Sequence, residues 1–137
     1  MPRDERAHLA DIIESCDAIT VAVRGLDLAA YEGNRLVRSS VEREFIIIGE
    51  AAAALARIAP KAFDAITRAR RIVDFRNQLT HEYPTVDNAL VWAIVEHDVP
   101  VLAASAPRSF SASRRRTSRT NHRGQPTVLR AAAGANR

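Results

Sequence analysis

The segment from Val41 to Leu55 reads VEREFIIIGEAAAAL, and its apolar residues recur at every third or fourth position. Residues with this spacing share one face of an α-helix, and alternating steps of four and three are typical of helices that pack nearly parallel to each other. The predicted buried seam consists of Val41, Phe45, Ile48, Ala52 and Leu55. We expect this long helix to end at Pro60, because proline cannot continue a helix that precedes it.

Apolar residues with similar spacings occur before and after this segment, and they predict three further helices. The four predicted helices span about residues 4–24, 34–59, 61–83 and 87–99. Gly25 and Pro84 stop the first and third helices, Asn34 and Asp87 start the second and fourth, and Pro100 interrupts the fourth. The inner side of the fourth helix is predicted to carry Leu90, Val91, Ile94 and Val95. Four helices with short connections predict an all-α fold, an antiparallel up-down four-helix bundle without strands.

The charge of the chain divides it into two parts. The 137 residues carry a net charge of +4, with 47% hydrophobic and 5% aromatic residues, which fits one compact helical domain. Residues 1–104 hold 12 Arg and Lys against 16 Asp and Glu, whereas residues 105–137 hold 8 Arg and no acid. We therefore predict a helical domain over 1–104 and a disordered Arg/Ser-rich tail over 105–137. That tail is either an arm that attracts RNA or a solvated extension without a role.

Several classes of protein are not favoured by the sequence. No apolar run is long enough to cross a bilayer, and the first residues do not resemble a signal peptide, so we expect a cytoplasmic protein with no membrane partner. Cys16 is the single cysteine, which leaves no internal disulfide and no cysteine-based zinc site. We expect neither a metal nor another cofactor.

The residues most suited to chemistry lie in RNQLTHEY, from Arg76 to Tyr83. This stretch combines a fixed cation, an imidazole that titrates near neutral pH and a hydroxyl group, which together suit phosphodiester chemistry. On an ideal helix Arg76 and His81 lie about 140° apart, so their convergence needs a loosened helix, the reach of Arg76 or a second copy of the chain. Alternatively, Arg76 pairs with Asp74 or Glu82, and His81 caps the helix.

The pattern Arg76-x4-His81-x-Tyr83 has a characteristic context. It follows FIIIGEA at residues 45–51 and precedes VDNALVW at 86–92 and DVP at 98–100. In this order and spacing, the chain from about residue 4 to 102 resembles the HepT-like branch of the HEPN superfamily. The resemblance implies a helical bundle that forms a homodimer, with two Arg-x4-His motifs at a shared cleft.

Proteins of this kind are toxins of type VII-style toxin–antitoxin pairs and cleave RNA without a metal ion. The resemblance implies that His81 is the general acid or base, that Arg76 stabilises the charged transition state, and that Asn77 and Glu50 support them. It also implies that a nucleotidyltransferase antitoxin transfers AMP to Tyr83, which would place bulk and negative charge at the cleft.

Two features depart from the family pattern. Phe63 stands where a tryptophan is frequent, and the Arg-rich tail has no counterpart. Because the predicted domain is acidic, RNA must be attracted by the tail, by a partner or by a local cluster of arginines. That cluster consists of Arg68, Arg70, Arg71 and Arg76. Two other functions remain open: a catalytically weak dimeric module that binds a nucleotidyltransferase or nucleic acid, and a scaffold that tethers acidic partners through its tail.

Overall fold

The structure is a computed structural model that describes residues 4–81 and 86–107. These residues form helices and no strands, which confirms the predicted all-α class. The helices are α1 (Glu5–Ala22), α2 (Leu28–Glu32), α3 (Arg35–Ile58), α4 (Pro60–Ala65), α5 (Ala69–His81) and α6 (Asn88–Ser105). The helix α3 is central, since α1, α4 and α5 all pack against it, and α6 packs mainly on α1. The antiparallel up-down order of a four-helix bundle stays a prediction.

The ends of the helices follow from capping residues in the sequence. Asn34 accepts a hydrogen bond from the backbone N–H of Val37, and Asp87 accepts from two N–H groups of the first turn of α6. Both caps confirm the predicted helix starts. Asp27 caps the short helix α2 in the same way, within the predicted connector. Each cap satisfies backbone donors that a helix start otherwise leaves without partners.

The third helix was predicted to be continuous over about residues 61–83. This prediction is wrong, because the segment contains two separate helices, α4 and α5. Pro60 is the first residue of α4, where its missing N–H costs nothing. Between the helices, Ile66 turns its buried side chain inward, and Arg68 has the left-handed φ of 74°. The N–H of Thr67 donates to the Ser105 hydroxyl at 2.9 Å instead of to a helical carbonyl. This turn gives α5 its own direction.

The fourth helix also differs from the prediction, because α6 continues through Pro100 to Ser105. Proline removes one helical hydrogen bond, at a cost of about 3 kcal/mol. The fully buried neighbours Val99 and Leu102 offset that cost by packing in the core. Leu90 was expected on the inner side, but 38% of it is exposed, since it lies at the edge of α6. Residues 105–107 of the predicted tail are described: Ser105 ends α6, and Ala106 is buried. Residues 108–137 lie outside the described residues.

The predicted seam on α3 is confirmed as the centre of the core. All five of its side chains are fully buried: Val41, Phe45, Ile48, Ala52 and Leu55. The ring of Phe45 meets that of Phe75 edge to face, with centroids 5.2 Å apart, which joins α3 to α5. Cys16 of α1 is buried, as expected for a small apolar core residue. Among the residues described, no helix is long and apolar enough to cross a membrane.

Tyr31 anchors the short helix α2 in the core. Its side chain is fully buried, and its ring centroid lies 5.3 Å from that of Trp92. Burial, together with the nearby carboxylate of Glu42, raises the pKa of Tyr31 to about 12. Burial also raises the pKa of Glu42, and Arg38 offsets this only in part. The ionised form of Glu42 is therefore less favourable in the folded protein than in the unfolded chain.

Replacing Glu42 by Gln should increase stability at neutral pH. The pKa of Glu42 is higher in the folded protein than the ordinary glutamate value of about 4.3 in the unfolded chain. Glu42 therefore contributes to stability below a pH of about 4.3, where it is protonated in both states, and this contribution is lost as the pH rises through the folded-state pKa. Thermal unfolding should show a higher midpoint for Glu42→Gln at pH 7 and no gain near pH 4. Glu50→Gln, at an exposed position of the same helix, is the control. A gain that persists at pH 4 would contradict the explanation.

Candidate ribonuclease site on helix α5

The helix α5 carries most of the predicted site residues. Arg76 is partly buried, whereas Asn77 and His81 are exposed, and His81 is the last residue of α5. The chain is helical up to that point, since α5 runs without a break from Ala69 to His81. A loosened helix before His81 therefore does not bring the two motif residues together. Tyr83 lies outside the described residues.

Arg76 crosses α3 at Gly49. A Cβ atom built on Gly49 would lie 2.6 Å from Cγ of Arg76 and closer still to its Cβ. Such distances do not occur between real side chains, so only glycine permits this approach of α3 and α5. This role of Gly49 was not predicted from the sequence. A signal was present, because glycine inside a long helix costs about 1 kcal/mol and therefore usually has a packing or functional reason.

The Nε atom of Arg76 is buried, and no hydrogen-bond acceptor meets it among residues 4–81 and 86–107. A buried charged donor without an acceptor is costly and therefore rare in folded proteins. Close packing against Gly49 thus accompanies an arginine whose Nε–H group is not used by the described residues. This arrangement suits a residue that binds an anionic ligand.

The other predicted residues take different positions. Glu50 follows Gly49 on α3 and is exposed, at the level where α3 meets Arg76. The arginines of the predicted cluster diverge: Arg70 lies over the ring of Phe63 at 5.4 Å, and Arg71 forms an ion pair with Asp98 at 2.7 Å. In that pair the N–H of Arg71 does not point at the oxygen, so we regard the contact as electrostatic.

A cleft of about 200 Å³ opens between α5 and α6. We call it the α5–α6 cleft, and it is lined by Arg71, Asp74, Phe75, Gln78, Leu90 and Ile94. Phe75 and Ile94 are buried, whereas Asp74 and Gln78 are exposed. Asp74 lies seven residues before His81, so both are on the same side of α5 to within about 20°. In the described part of the chain, no three His, Cys, Asp or Glu side chains gather as metal ligands would.

Comparison with known proteins identifies the family of the chain. The model of a family described as "Ribonuclease HepT-like" matches residues 12–108. The chain belongs to the HepT-like family. This confirms the resemblance to the HepT-like branch of the HEPN superfamily. The match includes Gly49 and the whole segment from Arg76 to Tyr83, and it leaves residues 109–137 of the Arg-rich tail outside.

Curated relatives of this HepT-like protein carry ribonuclease names. "Putative RNase MJ1380" of Methanocaldococcus jannaschii is 34% identical over 98 residues, which is 72% of this chain and 89% of the relative. "Putative RNase MJ1216" of the same organism is 26% identical over 72% of this chain and 80% of the relative. "Putative RNase TTE0752" of Caldanaerobacter subterraneus is 26% identical over 71% of this chain and 86% of the relative. No solved structure matches the chain significantly.

Proposed function

We propose that this HepT-like protein is an endoribonuclease, the toxin of a type VII-style toxin–antitoxin pair, and that it cleaves RNA without a metal ion. The observation that carries the proposal is the side chain of Arg76, which is held against Gly49 and whose buried Nε meets no acceptor among residues 4–81 and 86–107. Arg76 lies within residues 12–108, which match the model of a family described as "Ribonuclease HepT-like". Arg76 as a whole is only partly buried, so the part of its side chain that remains exposed can approach a phosphate of RNA.

The proposed reaction is an internal transesterification of RNA. His81 removes the proton from a ribose 2′-hydroxyl, and the oxygen attacks the adjacent phosphorus. The bond from phosphorus to the 5′-oxygen of the next nucleotide breaks, and that oxygen receives a proton from an imidazolium. The products are a 2′,3′-cyclic phosphate and a 5′-hydroxyl. Arg76 stabilises the negative charge of the pentacoordinate transition state, while Asn77 holds the substrate and Glu50 orients His81.

We further propose that two copies of the chain form the site. Because α5 is regular up to His81, the motif residues of one chain point in directions about 140° apart. A homodimer that pairs two α5 helices could place His81 of one copy near Arg76 of the other. A dimer also gives the cleft two histidines, so that one accepts a proton while the other donates one.

The proposal is tested by cleavage of a mixed RNA pool in the presence of EDTA. Wild-type protein should cut, and His81→Ala should cut 10²- to 10⁴-fold more slowly, which is the usual contribution of a general acid or base. His97→Ala is the matched control, because His97 is an exposed histidine on α6 away from the motif. Circular dichroism checks that all variants are folded. Equal cutting by wild type and His81→Ala would indicate a contaminating nuclease, and absence of cutting by the wild type would refute the proposal.

The proposed antidote reaction concerns Tyr83. A nucleotidyltransferase would transfer AMP from ATP to the Tyr83 hydroxyl with release of pyrophosphate, and the added charge would repel an RNA phosphate. Intact-mass measurement after incubation with the cognate enzyme and ATP should show a gain of AMP, which Tyr83→Phe abolishes. Tyr31, the only other tyrosine, is fully buried and should remain unmodified on peptide mapping. An AMP gain that survives in Tyr83→Phe would exclude Tyr83 as the acceptor.

A further inference from the structure

We propose that the α5–α6 cleft binds one unpaired RNA base next to the scissile phosphate and prefers bases that carry an exocyclic amino group. This inference rests on the proposed ribonuclease function and names the specificity determinants of the same site. It concerns Asp74 and Gln78, which neither the motif nor the family match assigns.

The position of the cleft relative to His81 fits a neighbouring base. Gln78 is three residues before His81, about 4.5 Å along the helix axis, and Asp74 is about 10 Å away. Both side chains are exposed on α5, as is His81. A nucleotide whose phosphate reaches the motif can therefore place its base, or that of its neighbour, in the cleft.

The walls of the cleft suit a flat, partly apolar group. Phe75 and Ile94 form a buried apolar floor, and Leu90 is 38% exposed at the rim. The volume of about 200 Å³ is below the 300–1,000 Å³ typical of sites for drug-sized ligands, so the cleft fits a single small ring system. Unpaired RNA bases are commonly bound on apolar and aromatic side chains, with their edges hydrogen-bonded.

The polar groups at the rim select the edge of the base. The carboxylate of Asp74 only accepts hydrogen bonds, whereas the amide of Gln78 both donates and accepts. Adenine, cytosine and guanine each present an amino donor to such a carboxylate, as in the pairing of Asp or Glu with the amino group of cytosine. Uracil has no amino group, and its two carbonyl oxygens flank a single N–H, so they repel the carboxylate.

The far end of the cleft is closed by a charged contact. Arg71 lies one turn before Asp74 on α5, and its Nε is 2.7 Å from Oδ2 of the buried Asp98 on α6. This ion pair bridges the two helices at the end of the cleft that is farthest from His81.

The test uses four RNA octamers that are all uridine except for one central position, which is A, C, G or U. The full-length wild type should cleave at least one amino-bearing probe tenfold or more faster, in kcat/KM, than the all-uridine probe. Asp74→Asn should reduce this preference below threefold, because an amide can also donate to a uracil carbonyl. Asp64→Asn, which makes the same change at an exposed position of α4, should retain the preference.

Binding is measured in parallel with 2′-O-methyl versions of the four octamers, which cannot be cleaved by attack of the 2′-oxygen. Fluorescence anisotropy should show the same order of affinities and the same loss in Asp74→Asn. If all four probes are cleaved and bound equally, the inference is wrong and the ribonuclease function stands. If no probe is cleaved, the ribonuclease proposal fails, and the binding series alone decides whether the cleft reads a base. If Leu90→Asp converts a dimer to a monomer while base preference is absent, the cleft is a contact between copies and the inference is wrong.

Discussion

Arg76→Met should remove most of the RNA cleavage and leave the protein as stable as the wild type, or more stable. Loss of a group that stabilises transition-state charge typically slows a reaction by about 10²- to 10³-fold. The stability expectation follows from the buried Nε of Arg76, which finds no acceptor in the described residues. Methionine keeps an unbranched, flexible side chain against Gly49 but removes that unsatisfied charged donor.

The measurement pairs cleavage in EDTA with urea unfolding of the same preparations. Arg70→Met is the control, because Arg70 is an exposed cation on α5 whose guanidinium lies over Phe63. Both the cleavage activity and the stability of Arg70→Met should differ little from those of the wild type. A loss of stability above about 1 kcal/mol in Arg76→Met, the usual worth of a hydrogen bond, would favour the alternative in which Arg76 serves a structural pair.

Gly49→Ala should damage both the fold and the activity, although alanine is the better helix former. The new Cβ would lie 2.6 Å from Cγ of Arg76, and the still closer Cβ of Arg76 is fixed to the backbone of α5. The two helices must therefore move apart, and overpacking of this kind costs about 1–3 kcal/mol. A displacement of the motif by about 1 Å is expected to slow cleavage by up to about 100-fold.

Gly33→Ala is the matched control for this substitution. Gly33 has a right-handed helical φ of −78°, and the nearest atom to an added Cβ is a carbonyl oxygen at 3.5 Å. Alanine at that position should be neutral or stabilise the fold by up to about 1 kcal/mol, chiefly through the unfolded chain. Urea unfolding and cleavage in EDTA measure both variants. Wild-type stability and activity in Gly49→Ala would show that the close approach of α3 and α5 is not needed.

Much of the fold could be predicted from the sequence, since the apolar period of α3 and the caps at Asn34 and Asp87 are local signals. The separation of α4 from α5 could not, because it depends on the hydroxyl of Ser105, 38 residues after Thr67. The continuation of α6 past Pro100 likewise depends on core packing, which overrides the tendency of proline to end a helix.

The candidate site likewise has features that local sequence signals predict and features that depend on the packing of helices. Arg76 and His81 were found through their spacing and the family resemblance, both of which are properties of the chain read in order. The contact between Gly49 and Arg76 joins two helices and becomes visible only when α3 and α5 are packed. The α5–α6 cleft likewise needs side chains from both helices, and no spacing within either one indicates it.

The ion pair between Arg71 and Asp98 has a consequence for the form of RNA that this protein can accept. The ion pair joins the two helices at the end of the cleft that is farthest from His81, and the volume of about 200 Å³ leaves room for one ring system. A base in a duplex is stacked on both faces and hydrogen-bonded along its edge, so it must leave the duplex before it can enter the cleft. If the cleft reads a base, hairpin loops and single-stranded linkers should be cut while adjoining stems remain intact.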